Sequence, residues 1–274
     1  MIAPHGCRSV AVQDSTAPGR PPATSTPPTT IAADHSSVAA EVTQAMHAVL
    51  PNAQVGFEVF DRLDSTVLTS QDASRPVASM SLVKLLIALD VLAGGATLDD
   101  ATRQQLHRML ADSDDRIASS LWAARGGPAI VTRMAGLLGL TGTRPPKDPG
   151  RWGDTLITAH DIVTVYRYIT DQLPGPRRDV LLSTLAAAPE IAADGFDQHF
   201  GIPDGMPNTT WAVKQGWGTS GSRAVLHSTG LVGTDLRYVV VILASAPTRS
   251  YSTVPAVVTA GAGALAGLVG AAPS

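Results

Sequence analysis

Ser81 and Lys84 are the first residues of this chain whose types and spacing could carry out chemistry. A helix over this segment, with Ser79 as a candidate N-cap, would place the two side chains on one face, with Cβ atoms about 5–6 Å apart. A lysine buried among the leucines that follow could lose its proton and act as a base for the serine hydroxyl, the minimum for acyl transfer. The alternative is an ordinary serine at a helix start, followed by a lysine whose charged end reaches solvent.

Two later segments carry further candidates. The segment Ser113-Asp114-Asp115 joins two predicted helices, and by itself it is typical of a capped helix start. The segment Lys214-Gln215-Gly216-Trp217-Gly218 follows a predicted strand, and by itself it is typical of an edge strand with a solvated lysine. Arginine outnumbers lysine 17 to 3, and only lysine can be deprotonated by burial, so the use of lysine at two of these segments is informative.

Composition limits the classes of function. The chain has 274 residues, of which 44% are hydrophobic, which is enough for a sizeable core. A net charge of −3 without a cluster of basic residues argues against a nucleic-acid partner, and no uninterrupted apolar run is long enough to span a membrane. The single cysteine, Cys7, excludes an internal disulfide and a cysteine-based metal site. We expect a monomer with no metal and no cofactor.

Residues 1–36 are rich in Pro, Thr, Ser and Ala, a composition that predicts a disordered tether. A cysteine ahead of such a tether is what a lipid-anchored envelope protein has after its signal is removed, and this would make Cys7 a membrane tether. No signal peptide is visible, and an ordinary surface thiol in an irregular terminus fits the same residues.

The remaining patterning predicts an α+β fold: a helix, two strands, a helical insertion, three strands and a final helix. This order fits a five-stranded antiparallel sheet flanked by helices and interrupted by an all-helical domain. We predict an α/β domain from residues 37–80 and 205–274 and a helical domain from residues 81–204. The first predicted strand is Gln54–Asp61, and the insertion contains the predicted helices Ser113–Ala124 and Pro128–Leu138. The predicted strands after the insertion are Trp211–Lys214, Arg223–Gly230 and Leu236–Ala244.

Taken together and in this order, the three segments resemble the motifs of the penicillin-recognising serine acyl-enzymes: class A β-lactamases, D-alanyl-D-alanine peptidases and their relatives. Those families carry Ser-x-x-Lys, then Ser-Asp-Asn on a helical loop, then Lys-Thr-Gly on a strand at the sheet edge. The resemblance covers about residues 38–270 and implies the same α+β fold. The tether and its cysteine are similar to those of actinobacterial envelope lipoproteins with this fold, which implies an extracytoplasmic location.

The resemblance implies roles for individual residues. Ser81 would be the nucleophile and Lys84 its base, while Ser113, helped by Lys214, would pass a proton to the leaving nitrogen. The backbone N–H groups of Ser81 and Trp217 would form the oxyanion hole. Arg223 and Lys214 would attract a carboxylate of the substrate. The residues expected to bind the substrate are Asp115, Gln215, Gly216, Trp217 and Arg223.

Three departures from the family pattern bear on function. Asp115 stands where the pattern has Asn, and a carboxylate cannot donate to a substrate carbonyl unless it is protonated; it could instead favour a cationic group or pair with Arg116. Gln215 stands where the pattern has Thr. The loop before residue 159 lacks the glutamate with which β-lactamases deacylate, because the three glutamates of the chain lie elsewhere.

These departures leave three functions open. The first is a serine acyl hydrolase or transferase that acts on β-lactams or peptidoglycan-like peptides and deacylates slowly. The second is a non-catalytic envelope binding protein with the same fold, and the third is an esterase that uses the same serine and lysine.

Overall fold

The computed structural model describes residues 35–270, with the exception of residues 94 and 96. Cys7 and residues 1–34 of the predicted tether therefore lie outside the described residues. The last two residues of the predicted tether belong to the first helix, α1 (His35–Val49).

The described residues contain a five-stranded antiparallel sheet in the order β2-β1-β7-β6-β5, which confirms the predicted α+β class. β5 lies at one edge of this sheet, so its outer side is available to the elements that carry Ser81. A separate two-stranded sheet pairs β3 with β4. The strands are β1 (Gln54–Asp61), β2 (Thr66–Gln71), β3 (Val77–Ala78), β4 (Leu156–Ile157), β5 (Trp211–Ser220), β6 (Arg223–Val232) and β7 (Tyr238–Pro247).

Helices cover both faces of the large sheet, because alternate residues of its central strands are apolar on each side. On one face the sheet packs against α1 and the last helix, and on the other against the helices of the insertion. The remaining helices are α2 (Val83–Ala93), α3 (Asp100–Leu110), α4 (Asp115–Ala124), α5 (Pro128–Leu138), α6 (Ala159–Asp171), α7 (Gly175–Ala186), α8 (Ile202–Gly205) and α9 (Val254–Leu265). The division into two domains at residues 80 and 204 stays a prediction.

Thr248–Val269 is the one segment of the described residues that is long and apolar enough to cross a membrane. It contains α9, whose Val257, Val258 and Leu265 are buried in the core against the sheet. Its apolar composition is therefore explained by packing, as for the core helix of a globular domain.

Three predicted boundaries near the candidate residues differ from the structure. A 3-10 turn, Met80–Leu82, precedes α2, and Ser79 makes no side-chain cap to it, so the predicted N-cap is wrong. Helix α4 is capped by Asp114 and begins at Asp115, two residues beyond the predicted start at Ser113. Strand β5 does not end at Lys214 but continues to Ser220, since its glycines pair with β6 like the rest of the strand.

Candidate active site

Ser81 lies in the middle of the 3-10 turn, and backbone contacts hold this turn in place. The Ser79 N–H donates to the Thr155 carbonyl at 2.7 Å, and His227 Nε2 contacts the Ala78 carbonyl at 2.8 Å. Met80 adopts a left-handed conformation with φ 47°, which costs a non-glycine residue about 1–3 kcal/mol and persists only when its surroundings impose it. Contacts from β6 and from the loop before α6 therefore hold the turn, since the local backbone conformation of Met80 is unfavourable by itself.

Lys84 follows one helical turn later on α2, and its side chain is fully buried. Its Nζ lies 3.0 Å from Ser81 Oγ, 2.7 Å from the Ser113 carbonyl, 3.1 Å from Ser113 Oγ and 2.6 Å from Asp115 Oδ1. An ammonium group has three protons, so it cannot donate fully to all four acceptors. A neutral amine could instead accept the proton of the Ser81 hydroxyl.

Ser113 reaches this site because its backbone turns sharply between α3 and α4. Its φ of 55° is left-handed, and Asp114 secures the turn by accepting from the N–H groups of Arg116 and Ile117. The Ser113 hydroxyl also lies 3.0 Å from Lys214 Nζ on β5. A single buried hydroxyl therefore contacts both lysines, although the two lysines are 130 positions apart in the sequence.

Burial lowers the pKa of both lysines, because a charged amine loses its hydration inside the protein. For Lys84 the carboxylate of Asp115 opposes this effect and raises the pKa, so the net lowering is moderated. For Lys214 the charge of Lys84 adds to burial, and the pKa falls well below its ordinary value. Of the two, Lys214 is the more easily neutralised, while Lys84 shares an ion pair.

Strand β5 is positioned against the turn by close backbone approach. A Cβ at Gly216 would lie 3.0 Å from the Ser79 carbonyl oxygen, closer than nearly all real Cβ contacts. Behind the strand, Thr229 Oγ1 donates to the Lys214 carbonyl at 2.8 Å and contacts the buried Tyr166 hydroxyl at 3.0 Å. Glycine at position 216 thus allows the edge strand to lie beside the Ser81 turn.

Ser81 opens into a cavity of about 390 Å³. Asp115, Trp217 and the loop before α6 form its walls, so two of the predicted substrate contacts lie beside the nucleophile. The complete lining is Met80, Ser81, Asp115, Gly150, Arg151, Trp152, Gly153, Asp154, Asp194, Trp217, Gly218, Thr219 and Tyr251.

Three predicted substrate contacts, Gln215, Gly216 and Arg223, do not line this cavity. Gly216 has no side chain and lies against the Ser79 carbonyl instead. The Gln215 side chain is buried on the opposite face of β5, where its amide donates to the carbonyls of Gln198 and Phe200. Arg223 donates to the hydroxyl and the carbonyl of Ser245 on β7. Strand alternation explains the position of Gln215, since residues 214 and 215 must face opposite sides. Neither side chain is therefore placed to contact a substrate beside Ser81.

Several residues that line the cavity could not be identified as site residues from the sequence. Asp194 accepts from Trp217 Nε1 at 2.9 Å, and Phe196 stacks on the Trp217 ring with centroids 5.0 Å apart. Arg151 pairs with Asp154, whose other oxygen accepts from Ser220 Oγ. The abundance of Gly and Pro in the loop at residues 141–155 was the one usable signal, because long loops inside compact domains are often functional.

None of the three glutamates lines the cavity. Glu58 is buried on β1 and contacts His160 Nδ1 at 3.1 Å, while Glu41 and Glu190 are exposed elsewhere. The carboxylates that do line the cavity are Asp115, Asp154 and Asp194.

Comparison with known proteins identifies relatives by sequence and solved structures with a similar fold. The chain is 37% identical over 203 residues to "Putative lipoprotein LppW" of Mycobacterium tuberculosis and of Mycobacterium bovis. The aligned region covers 71% of this chain. The match spans 64% of the length of these curated relatives. No family model matches the chain.

Solved structures establish the fold. The β-lactamase of Streptosporangium roseum superposes with a TM-score of 0.68 at 17% identity, covering 86% of this chain and 99% of the other. The β-lactamase of Streptomyces albus G superposes with a TM-score of 0.64 at 18% identity, covering 85% and 99%. The expected resemblance is confirmed for the fold, which is that of the class A β-lactamases.

Proposed function

We propose that this chain, which has the class A β-lactamase fold, is a serine acyl hydrolase or transferase that forms an acyl-enzyme on Ser81. The observation that carries the proposal is the 3.0 Å contact between Lys84 Nζ and Ser81 Oγ at an open cavity. The likeness to β-lactamases favours β-lactams or peptidoglycan-like peptides as substrates.

In the proposed acylation, Ser81 Oγ attacks the amide or lactam carbonyl while neutral Lys84 takes its proton. The tetrahedral oxyanion would be held by the N–H groups of Ser81 and Trp217, an interaction worth about 2.7–4 kcal/mol per donor. Collapse breaks the carbonyl–nitrogen bond. Ser113 gives its proton to the departing nitrogen and regains one from Lys84, so Lys84 ends neutral and Ser81 carries the acyl group.

Lys214 would support the relay rather than act as the base. Its Nζ lies 3.0 Å from Ser113 Oγ, and no hydrogen bond to Ser81 is formed in the described residues. A donor at this position stabilises negative charge on the Ser113 oxygen while its proton is in transit. The buried setting strengthens this effect, because the local dielectric is low.

Deacylation is expected to be slow, because no glutamate lines the cavity and each of its three carboxylates is bound through at least one oxygen. Asp115 binds Lys84, Asp154 accepts from Arg151 and Ser220, and Asp194 accepts from the Phe196 N–H and Trp217. We therefore expect nitrocefin, if it acylates Ser81, to be hydrolysed with kcat well below ~10² s⁻¹. A larger kcat would show that one of these groups does activate water.

Labelling tests the proposal. Wild type should be labelled by a fluorescent penicillin, Ser81→Ala should not, and the exposed-serine control Ser183→Ala should behave as wild type. Labelling by a fluorophosphonate alone would favour the esterase. Absence of any label would favour the second function below.

A non-catalytic binding protein is favoured by one observation. Asp115 Oδ1 lies 2.6 Å from Lys84 Nζ, and this ion pair stabilises the protonated amine, which cannot act as a base. If Lys84 stays charged over the working pH range, the cavity would bind a ligand without reacting with it. Saturable binding of penicillin to wild type without a covalent adduct would establish this function.

The likeness to LppW supports a location in the cell envelope, with the chain tethered through a lipid on Cys7. Metabolic labelling with an alkynyl fatty acid in an actinobacterial host should mark wild type and not Cys7→Ser. An unmarked wild type would refute the tether and leave the chemistry of Ser81 unaffected.

A further inference from the structure

Asp115 presents a hydrogen-bond acceptor beside the nucleophile. Its side chain is 62% exposed and lines the cavity together with Ser81. Oδ1 is occupied by Lys84, whereas no donor in the described part of the chain contacts Oδ2. An ionised carboxylate accepts hydrogen bonds and donates none, so a substrate group at this position must supply the proton.

The other two carboxylates of the cavity lack such a free oxygen. Asp154 accepts from Ser220 with Oδ1 and from Arg151 with Oδ2. Asp194 accepts from the Phe196 N–H with Oδ1 and from Trp217 Nε1 with Oδ2. Among the cavity carboxylates of the described residues, Asp115 is therefore the one whose acceptor is available to a ligand.

The charges around the cavity favour a cationic ligand. Its lining includes three carboxylates and one cation, Arg151, which is already paired with Asp154. The two lysines lie beneath the surface with 0–1% exposure and are directed at Ser113.

We propose that Asp115 determines substrate specificity by selecting acyl substrates that carry an N–H donor, above all a protonated amine, on the acylamino side chain beside the reacting carbonyl. This inference rests on the proposed function of Ser81. It reverses the polarity expected from the asparagine of the family pattern, whose amide can donate to a carbonyl.

The test compares ampicillin with benzylpenicillin, which differ by one amine adjacent to the side-chain carbonyl. Acylation of Ser81 is followed by mass spectrometry near pH 6, where this amine is protonated. Wild type should react with ampicillin about three- to tenfold faster, the range for a partly exposed charge-assisted hydrogen bond. In Asp115→Asn the ratio should fall to one or below.

Asp194→Asn is the charge-matched control, since it removes one negative charge from the same cavity without freeing or removing the Asp115 acceptor. Its ratio should stay close to that of wild type. A wild-type ratio of one, or an equal fall in Asp194→Asn, would overturn the inference.

A second measurement separates this inference from the proposed function. Non-covalent binding of both penicillins is measured by calorimetry in the Ser81→Ala background, with and without Asp115→Asn. Preference for ampicillin that depends on Asp115, without any acylation of wild type, supports the specificity role and refutes the enzyme. Acylation of Ser81 with no preference in either assay refutes the specificity role alone.

Discussion

The side-chain nitrogen of Lys214 lies 3.0 Å from the hydroxyl oxygen of Ser113. Lys84 on helix α2 approaches the same oxygen at 3.1 Å, so the hydroxyl is held between two buried amines, one from a strand and one from a helix. Burial lowers the pKa of both amines, which brings them nearer to the range in which a proton can be exchanged. This arrangement has the components of a proton relay that ends 3.0 Å from Ser81.

Removal of the Ser113 hydroxyl should interrupt this relay. Glycine is the suitable replacement, because Ser113 has a φ of 55° that alanine would adopt with strain. We expect Ser113→Gly to slow acylation of Ser81 by about 10²–10⁴-fold, the usual contribution of a positioned acid or base. The rate of penicillin labelling measures this, with circular dichroism as the check on folding. Unchanged labelling of a folded Ser113→Gly would exclude the relay.

Asp115 should set the pH range in which Lys84 becomes a base. Acylation requires the neutral amine, so its rate should rise with pH up to the Lys84 pKa. Because the Asp115 carboxylate raises that pKa, Asp115→Asn should move the rise to lower pH. The pH profile of benzylpenicillin acylation measures the shift, and movement to higher pH would contradict it. Asp194→Asn should give a smaller shift in the same direction, because the Asp194 carboxylate also raises the Lys84 pKa but makes no hydrogen bond to the amine.

Alanine at position 216 should separate β5 from the Ser81 turn. The new Cβ would lie 3.0 Å from the Ser79 carbonyl, and the backbone would have to move. We expect Gly216→Ala to lower the free energy of unfolding by about 1–3 kcal/mol and to slow acylation strongly. Gly136→Ala is the control, since a Cβ there meets nothing within 4 Å on a helix and should be neutral or stabilising. Urea denaturation and labelling measure the two effects.

His227 should make stability depend on pH. Its ring is fully buried, and burial lowers its pKa to about 4 from an ordinary value near 6.5. As the pH falls, His227 is therefore protonated in the unfolded chain before it is protonated in the folded protein. Stability is complete above about pH 6.5 and should fall as pH drops toward 4, by up to about 1.4 kcal/mol per pH unit.

His227→Gln tests this dependence, because its amide can still donate to the Ala78 carbonyl but does not titrate. The slope of unfolding free energy against pH between about 4 and 6.5 should be smaller in this variant than in wild type. Equal slopes would assign the pH dependence to other groups.

Local patterns in the sequence predicted most of the elements near the site. Strand β1 and helix α5 were predicted with their observed bounds, Gln54–Asp61 and Pro128–Leu138, because alternation, Pro and Gly mark them clearly. The bounds of β5 were missed, since Gly216 and Gly218 were interpreted as the end of a strand. Glycine is used there for close approach to Met80 and Ser79, a tertiary requirement that leaves no local signal.

The same distinction applies to the candidate site. The types and order of Ser81, Lys84, Ser113 and Lys214 were evident from the sequence, as was the departure at Asp115. Only the tertiary structure decided which side chains enter the cavity. It directed Gln215 to the opposite face of β5 and Arg223 to Ser245, and it brought Asp194 to Trp217.

The sequence by itself determined the fold class and the chemical groups available for reaction, because these depend on local periodicity and on residue type. The tertiary structure decided the direction of each side chain and the partner of each charge. Those depend on strand register and on contacts between residues more than a hundred positions apart, such as Ser113 and Lys214.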